Sequence, residues 1–265
     1  MEIKFSHVNS TIFTDLSFVI PKGEIVGIYG ENGDQLLKLI AFNKEVKGII
    51  YFNKIRKLRR NYYLFRNDIV LIERNFVNLF NFDNVYEYFI SYIRYRKINV
   101  KNIDKKVTGA LKIVGLNENI LERKISTLTS SEIKLFQFAL AFLSNPKVLL
   151  LDEPFRGLDL NNRKKIVRII NRLQDKFSKT IIIYSNNPNY LYQYTNYLFV
   201  LYKNKIILNG KTRDIFFDHD EFSLYKIKRP DIVEFILLVK DKKNIKLPRR
   251  SDVKDLIKDI YWNVK

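Results

Sequence analysis

The run Lys147-Val148-Leu149-Leu150-Leu151-Asp152-Glu153-Pro154 constrains the fold more than any other stretch. Three leucines after a valine fit a strand buried on both faces, and such strands belong to parallel sheets covered by helices on either side. The strand stops at two adjacent carboxylates. The carboxyl end of a buried parallel strand is where ligands gather in open α/β sheets. There Asp152 can hold Mg²⁺ through water, and Glu153 can orient or deprotonate an attacking water. A solvated acidic turn would also place acids here, but it gives no reason for Pro154 or for the Gly157-Leu158-Asp159 that follows.

The rest of the chain keeps the same alternation. Residues 24–29 (EIVGIY), 48–52, 69–72 and 180–185 (TIIIYS) read as strands, and 198–202 and 205–208 flank Lys203-Asn204 as a tight hairpin. Apolar residues at helical spacing cover 34–42, 83–95, 105–114, 130–143 and 161–177, with two further helices at 231–239 and 251–260. Strands alternating with helices predict an α/β protein. No repeat, low-complexity linker or sustained heptad interrupts the pattern. With 46% hydrophobic residues, the 265-residue chain can bury a sizeable core. No run of about 18 apolar residues occurs, and MEIKFSHVNS has no apolar leader, so neither a membrane-spanning helix nor a signal peptide is expected. There is no cysteine, which excludes disulfides and Cys-based metal sites and suits a cytoplasmic protein.

Residues 30–41, GENGDQLLKLIA, sit where a phosphate-binding loop of the form G-x-x-x-x-G-K-[ST] would run into its helix. Gly30, Asn32 and Gly33 begin such a loop, and residues 36–41 continue as the helix. Only Asp34 and Gln35 stand between them. The Lys that neutralises phosphates and the hydroxyl that ligates Mg²⁺ are missing, and the loop is three residues short. Asp34 caps the helix favourably but repels a polyphosphate. Lys38, one turn on, reads as a surface residue.

In order and spacing, residues 1 to about 217 resemble the ATP-binding subunit of ABC transporters. Asp152, Glu153, Pro154, Gly157, Leu158 and Asp159 match that family's Walker B and D-loop position for position. The resemblance implies an ABC-type P-loop NTPase fold. Its parts are a mixed core sheet with flanking helices, an N-terminal antiparallel β region and a helical subdomain over about 75–145. Strand 147–151 is expected to be central and beside 24–29. Mg-ATP is the implied cofactor, weakly bound or absent in the isolated chain. Other family positions can be located and are altered. His7 falls where an aromatic residue stacks on adenine. Counting back from Leu79-Phe80 puts Glu73 at the Q-loop position, with Arg74 as the alternative; no Gln occurs between Gln35 and Gln137. The signature LSGGQ is LTSSE, namely Leu128, Thr129, Ser130, Ser131 and Glu132. Asn186 occupies the place of the switch His.

Residues 218–265 form a C-terminal helical extension. Gly210, Phe216, Pro230, Ile232, Glu234, Leu247 and Pro248 fall at places that resemble the tail of energy-coupling-factor (ECF) transporter ATPases. That resemblance implies an importer of a vitamin or metal ion. The chain would be peripheral on the inner face of the cell membrane, paired with a second, intact ATPase and driving a transmembrane coupling subunit. Against this stands the charge: 47 Lys and Arg against 28 Asp and Glu, a formal +19. A basic chain can bind nucleic acid, so the alternative is a soluble, non-catalytic ABC-like scaffold or nucleic-acid-binding protein. A chain rich in Lys, Asn, Ile, Tyr and Phe and poor in Gly and Ala fits AT-rich coding better, and its basic residues are spread, with one dense cluster at residues 54–60. A third reading, a decaying gene product, fits the altered motifs but not the intact acidic block.

Overall fold

The computed structural model describes residues 1–41, 46–75 and 82–263, with the side chains of Arg59 and Asn263 excepted. Phe42 and the Leu79-Phe80 pair used for counting lie outside the described residues.

Two sheets enclose one helix. The smaller is antiparallel, with β1 (Ile3–Asn9), β2 (Leu16–Ile20), β4 (Lys47–Phe52) and β5 (Ile55–Arg56) in the order β2-β1-β4-β5. The larger holds β3 (Ile25–Gly30), β6 (Ile69–Ile72), β7 (Val148–Asp152), β8 (Thr180–Tyr184), β9 (Tyr197–Tyr202) and β10 (Lys205–Lys211), in the order β10-β9-β3-β8-β7-β6. Its strands run parallel except for β10 at the edge. The first strands, β1 and β2, alternate buried and exposed residues, so one face meets the core and the other meets water. By contrast β7 and β8 are buried at every position. Their side chains divide between two cores. Leu149, Leu151, Ile181 and Ile183 face the helical side, while Val148, Leu150, Ile182 and Tyr184 face α1 (Gly33–Ala41) and the small sheet.

One expectation is corrected. β7 is an interior strand next to the edge strand β6, not the centre of the sheet, and it does not lie beside β3. β8 pairs with both, Leu150 opposite Ile182 and Gly27 opposite Ile183, and so separates them. Two buried strands of similar composition cannot be ordered from sequence, because either would satisfy both cores.

The helical side carries α2 (Val85–Arg96), α3 (Ile103–Val114), α4 (Ser130–Leu143) and α5 (Leu160–Phe177). Each has a side-chain cap at its start, from Asn84, Asn102, Thr129 and Asp159, respectively. The hairpin β9–β10 turns at Lys203 and Asn204, both at positive φ as a tight hairpin turn requires. Short helices α6 (Pro188–Tyr194), α7 (Thr212–Asp218) and α8 (Glu221–Leu224) went unread in sequence, because four to seven residues give too little periodicity. α9 (Asp231–Lys243) and α10 (Val253–Asn263) close the chain over a small cluster of Ile236, Leu247 and Leu256. The basic cluster at 54–60 is not a uniform cationic face. Lys57 is half-buried and donates to the Leu39 carbonyl.

Phe136 joins α4 to α2. It is fully buried, with edge-to-face contacts to Tyr88 and Phe89 at 5.4 and 5.2 Å. Phe136→Ala removes a ring from a packed site and should cost about 3–5 kcal/mol. Thermal unfolding checks this, and an unchanged Tm would mean that the ring is not part of the core.

Candidate functional site

The carboxyl ends of β3, β8, β7 and β6 bring most of the sequence-predicted residues to one cleft. At β3, Gly30 (φ +110) has room for no Cβ, which would meet the Leu201 carbonyl at 2.1 Å. The turn then passes through Asn32 at φ 61, whose side chain donates to Asn204 at 2.7 Å, and α1 begins at Gly33. The Gln35 and Leu36 amides already donate to the Asn32 carbonyl. A Cβ on Gly33 would lie 2.2 Å from the ring of Tyr184, so this ring fills the space beneath the helix start. Asp34 does not cap α1 through its side chain. Its carboxylate accepts from the Gln35 side-chain Nε2 at 2.8 Å and stands 3.7 Å from Lys38, though a negative group in the first turn still favours the helix dipole. Nor is Lys38 a free surface residue. It is half-buried, reaching Asp34 on one side and Glu73 on the other, at 3.8 Å.

The two acids at the end of β7 have distinct settings. Asp152 is buried, and burial pushes its carboxyl above the ordinary range despite the Arg74 amide and guanidinium beside it. The Arg74 amide donates to Oδ2 at 3.3 Å and its Nε lies 3.7 Å from Oδ1, which has no hydrogen-bond partner among the described residues. Glu153, at φ 46, is held on both oxygens: Ser185 Oγ donates to one at 2.8 Å and the Asn186 amide to the other at 2.7 Å. Lys134 of α4 lies behind them, buried, and donates to the carbonyls of Glu73 and Arg74 at 3.2 and 3.3 Å. Gln137 donates to the same Glu73 carbonyl. Four carboxylates and three cations therefore share the cleft. Among the described residues, no group of three or more His, Cys, Asp or Glu has metal-ligating geometry.

Outside the cleft, Thr129 caps α4 in a reciprocal box with Glu132, whose carboxylate also takes 2.6 Å from Arg123. The Thr129 amide and the Arg123 guanidinium hold the Glu132 carboxyl below its usual value. Ser130 and Ser131 form the first residues of that helix, and Ser131 Oγ donates to Asp159 at 3.5 Å. Asp159 caps α5 and is held low by the Asn162 amide. His7 is not gathered to these groups by any contact. It sits at a bulge in β1 at φ 48, exposed, with Nδ1 2.8 Å from Asp15. The sequence reading missed Tyr184, Lys134 and Ser185. A tyrosine ending a run of isoleucines was its available signal.

A family model described as ABC transporter matches residues 13–156, more than half of the chain. The chain belongs to the ABC transporter family. The cassette is 24% identical over 227 residues to an ABC transporter ATP-binding protein of Listeria monocytogenes, covering 83% of this chain and 84% of the relative. It is 28% identical over 254 residues to the methionine import ATP-binding protein MetN of Clostridium tetani, covering 90% of this chain and 75% of that one. Among solved structures, it is similar to cbiO1 of Clostridium perfringens, part of the ABC transporter complex cbiONQ, with TM-score 0.71 and 22% identity over 89% of this chain and 98% of the other. It also resembles the dimeric cassette MJ0796 bound to ADP and Pi, with TM-score 0.70 and 19% identity over 79% and 98%. These likenesses establish the ABC-type P-loop NTPase fold. Among the described residues, no helix is long and apolar enough to cross a membrane.

Burial pulls the Lys134 ammonium down from 10.5 to about 8, against the opposing pull of Asp152 and Glu153. Between about pH 8 and 10.5 the folded cassette binds fewer protons there than the unfolded chain, so its stability rises with pH across that window. Lys57, also held at about 8 by burial, adds to the same rise. Lys134→Met should flatten part of it, read as the change in urea midpoint between pH 8 and 10. An unaltered slope would show that Lys134 is not held low.

Proposed function

We propose that this cassette is a non-hydrolysing half of an ECF-type importer's ATPase pair. In this reading it joins a second, intact ATPase and a transmembrane coupling subunit, and it lies on the inner face of the cell membrane. The observation that carries the reading is a cleft whose carboxylates already face cations of the same chain. Arg74 lies against Asp152 where a hydrated metal would be needed, Tyr184 fills the space under Gly33, and Asp34 stands where the loop should neutralise phosphate. These residues do not fit a magnesium-bound triphosphate, so no chemical step is assigned to this chain's own half-site. The tail matches and the likeness to cbiO1 support the ECF part of the reading. Solute specificity would lie in membrane subunits.

The signature face is different in kind. Thr129, Ser130 and Ser131 remain at the start of a 14-residue helix, where the first amides have no intrahelical acceptor. Here they would meet a nucleotide held by the partner's intact loop, with Asp159 beside them. Donors at a helix start favour a developing phosphate charge. Serines in place of glycines narrow the approach but keep hydrogen-bond donors. The scaffold or nucleic-acid alternative gains nothing specific from the 54–60 cluster, given the engagement of Lys57.

The isolated cassette should bind Mg-ATP at least 100-fold more weakly than an intact relative. Two lost charge-assisted contacts at about 1.5–3 kcal/mol each give roughly that factor. Calorimetry showing sub-micromolar affinity overturns this. Within the reconstituted heteromeric complex, Thr129→Arg should abolish ATPase activity and uptake, because it blocks the only live composite site. Glu153→Gln should change turnover less than twofold. Loss of turnover in Glu153→Gln would place the working site in this chain and sink the proposal.

A further inference from the structure

A second concavity lies at the opposite end of the parallel sheet, beside the residues that enter β7 and β8. It is a trough of about 530 Å³ between α3 and α5, reached by Asn145, Pro146 and Lys179 at the strand starts. Five residues of strand separate these starts from Asp152, a distance of about 15 Å. The trough therefore shares no residue with the nucleotide cleft.

Its composition is sharply divided. The floor is apolar, from Phe142, Leu149, Ile169, Leu173 and Phe177. Phe177 is 56% exposed and the neighbouring Ile113 is 53% exposed, unusual for large apolar side chains in one place. The rims are cationic: Lys106 and Lys112 on α3, Lys165, Arg168 and Arg172 on α5, and Lys179 at one end. Among the described residues, no carboxylate lines the trough. Asp104 and Asp175, on the same two helices, are not among its walls. Among the described residues, Lys112 is the one rim cation in an ion pair, with Glu118 at 3.5 Å. Among the described residues, Lys106, Lys165, Arg168 and Arg172 have no ion pair. Gly115 brings the walls together: a Cβ there would lie 4.0 Å from Lys165 Nζ.

We propose that this trough docks an acidic amphipathic helix from a protein partner. Charge complementarity decides the class of occupant. A second copy of this chain, itself at +19, would be repelled. The rims decide the shape. Lys106 to Lys112 spans about 9 Å and Lys165 to Arg172 about 10.5 Å along their helices. A compact single head group would engage one end of such rims. A helix laid along the trough would set apolar residues into the floor and carboxylates against both rims, over about two turns.

The probe is a fluorescent 18-residue peptide of Leu and Glu, with Leu at helical i, i+3, i+4, i+7 spacing, titrated against the full chain by anisotropy. Saturable binding is expected, weakened at least tenfold by Arg168→Glu combined with Arg172→Glu, and similarly by Ile113→Asp. All three positions are exposed, so the Tm should not move. A peptide of the same Leu pattern with Lys for Glu should not bind. Equal affinity in wild type and the double charge reversal, or equal binding of the Lys peptide, overturns the proposal. So does selective recruitment to phosphatidylglycerol vesicles that the same substitutions abolish while peptide binding persists, since the trough would then be a lipid site.

Discussion

Burial of β7 and β8 on both faces governs where any chemistry in this chain can stand. Each strand places alternate residues into two separate cores, one beneath the helices and one against α1 and the small sheet. Neither core tolerates an unpaired polar group, so functional polar residues are displaced to the strand ends. At the carboxyl ends they meet as Asp152, Glu153, Ser185 and the turn at Gly30. At the amino ends, α3 and α5 flank the sheet with basic rims around an apolar floor. The two ends of one sheet thus carry unlike surfaces, one internally neutralised and one cationic and open.

The neutralised end is held together by its own hydrogen bonds and ion pairs. Glu153 is bound on both oxygens by the loop after β8. Lys134 fastens the backbone after β6 to α4, and Arg74, presented by that backbone, faces Asp152. Removing one member would leave a buried charge without its partner, which costs more than the pair contributes. The arrangement is therefore cooperative: the charges stabilise one geometry of the cleft together.

Much of this was legible in the sequence, and the limits have physical causes. The acidic strand end announced itself because a fully apolar run followed by two acids suits little besides a buried strand that ends at a site. Helices α4 and α5 were legible because apolar residues recur at helical spacing over 14 and 18 residues. Strand order was not, since β7 and β8 present the same alternation to the same two cores. The ionic partners of Lys38 and Arg74 were hidden because they join α1 to the end of β6 and that end to β7, across 35 and 78 residues of chain. Tyr184 was hidden by its setting: a large ring at the end of an apolar strand reads as core, and its contact with Gly33 joins positions far apart in the chain.

The ring of Tyr184 also makes two distant positions interdependent. A Cβ at position 33 would lie 2.2 Å from the ring, so a side chain fits there only if the ring moves. Shrinking Tyr184 alone would open a void under α1 with nothing to occupy it. Each change is harmful without the other, so Gly33 and Tyr184 fit as notch and tooth from two distant strand ends and exchange only as a pair.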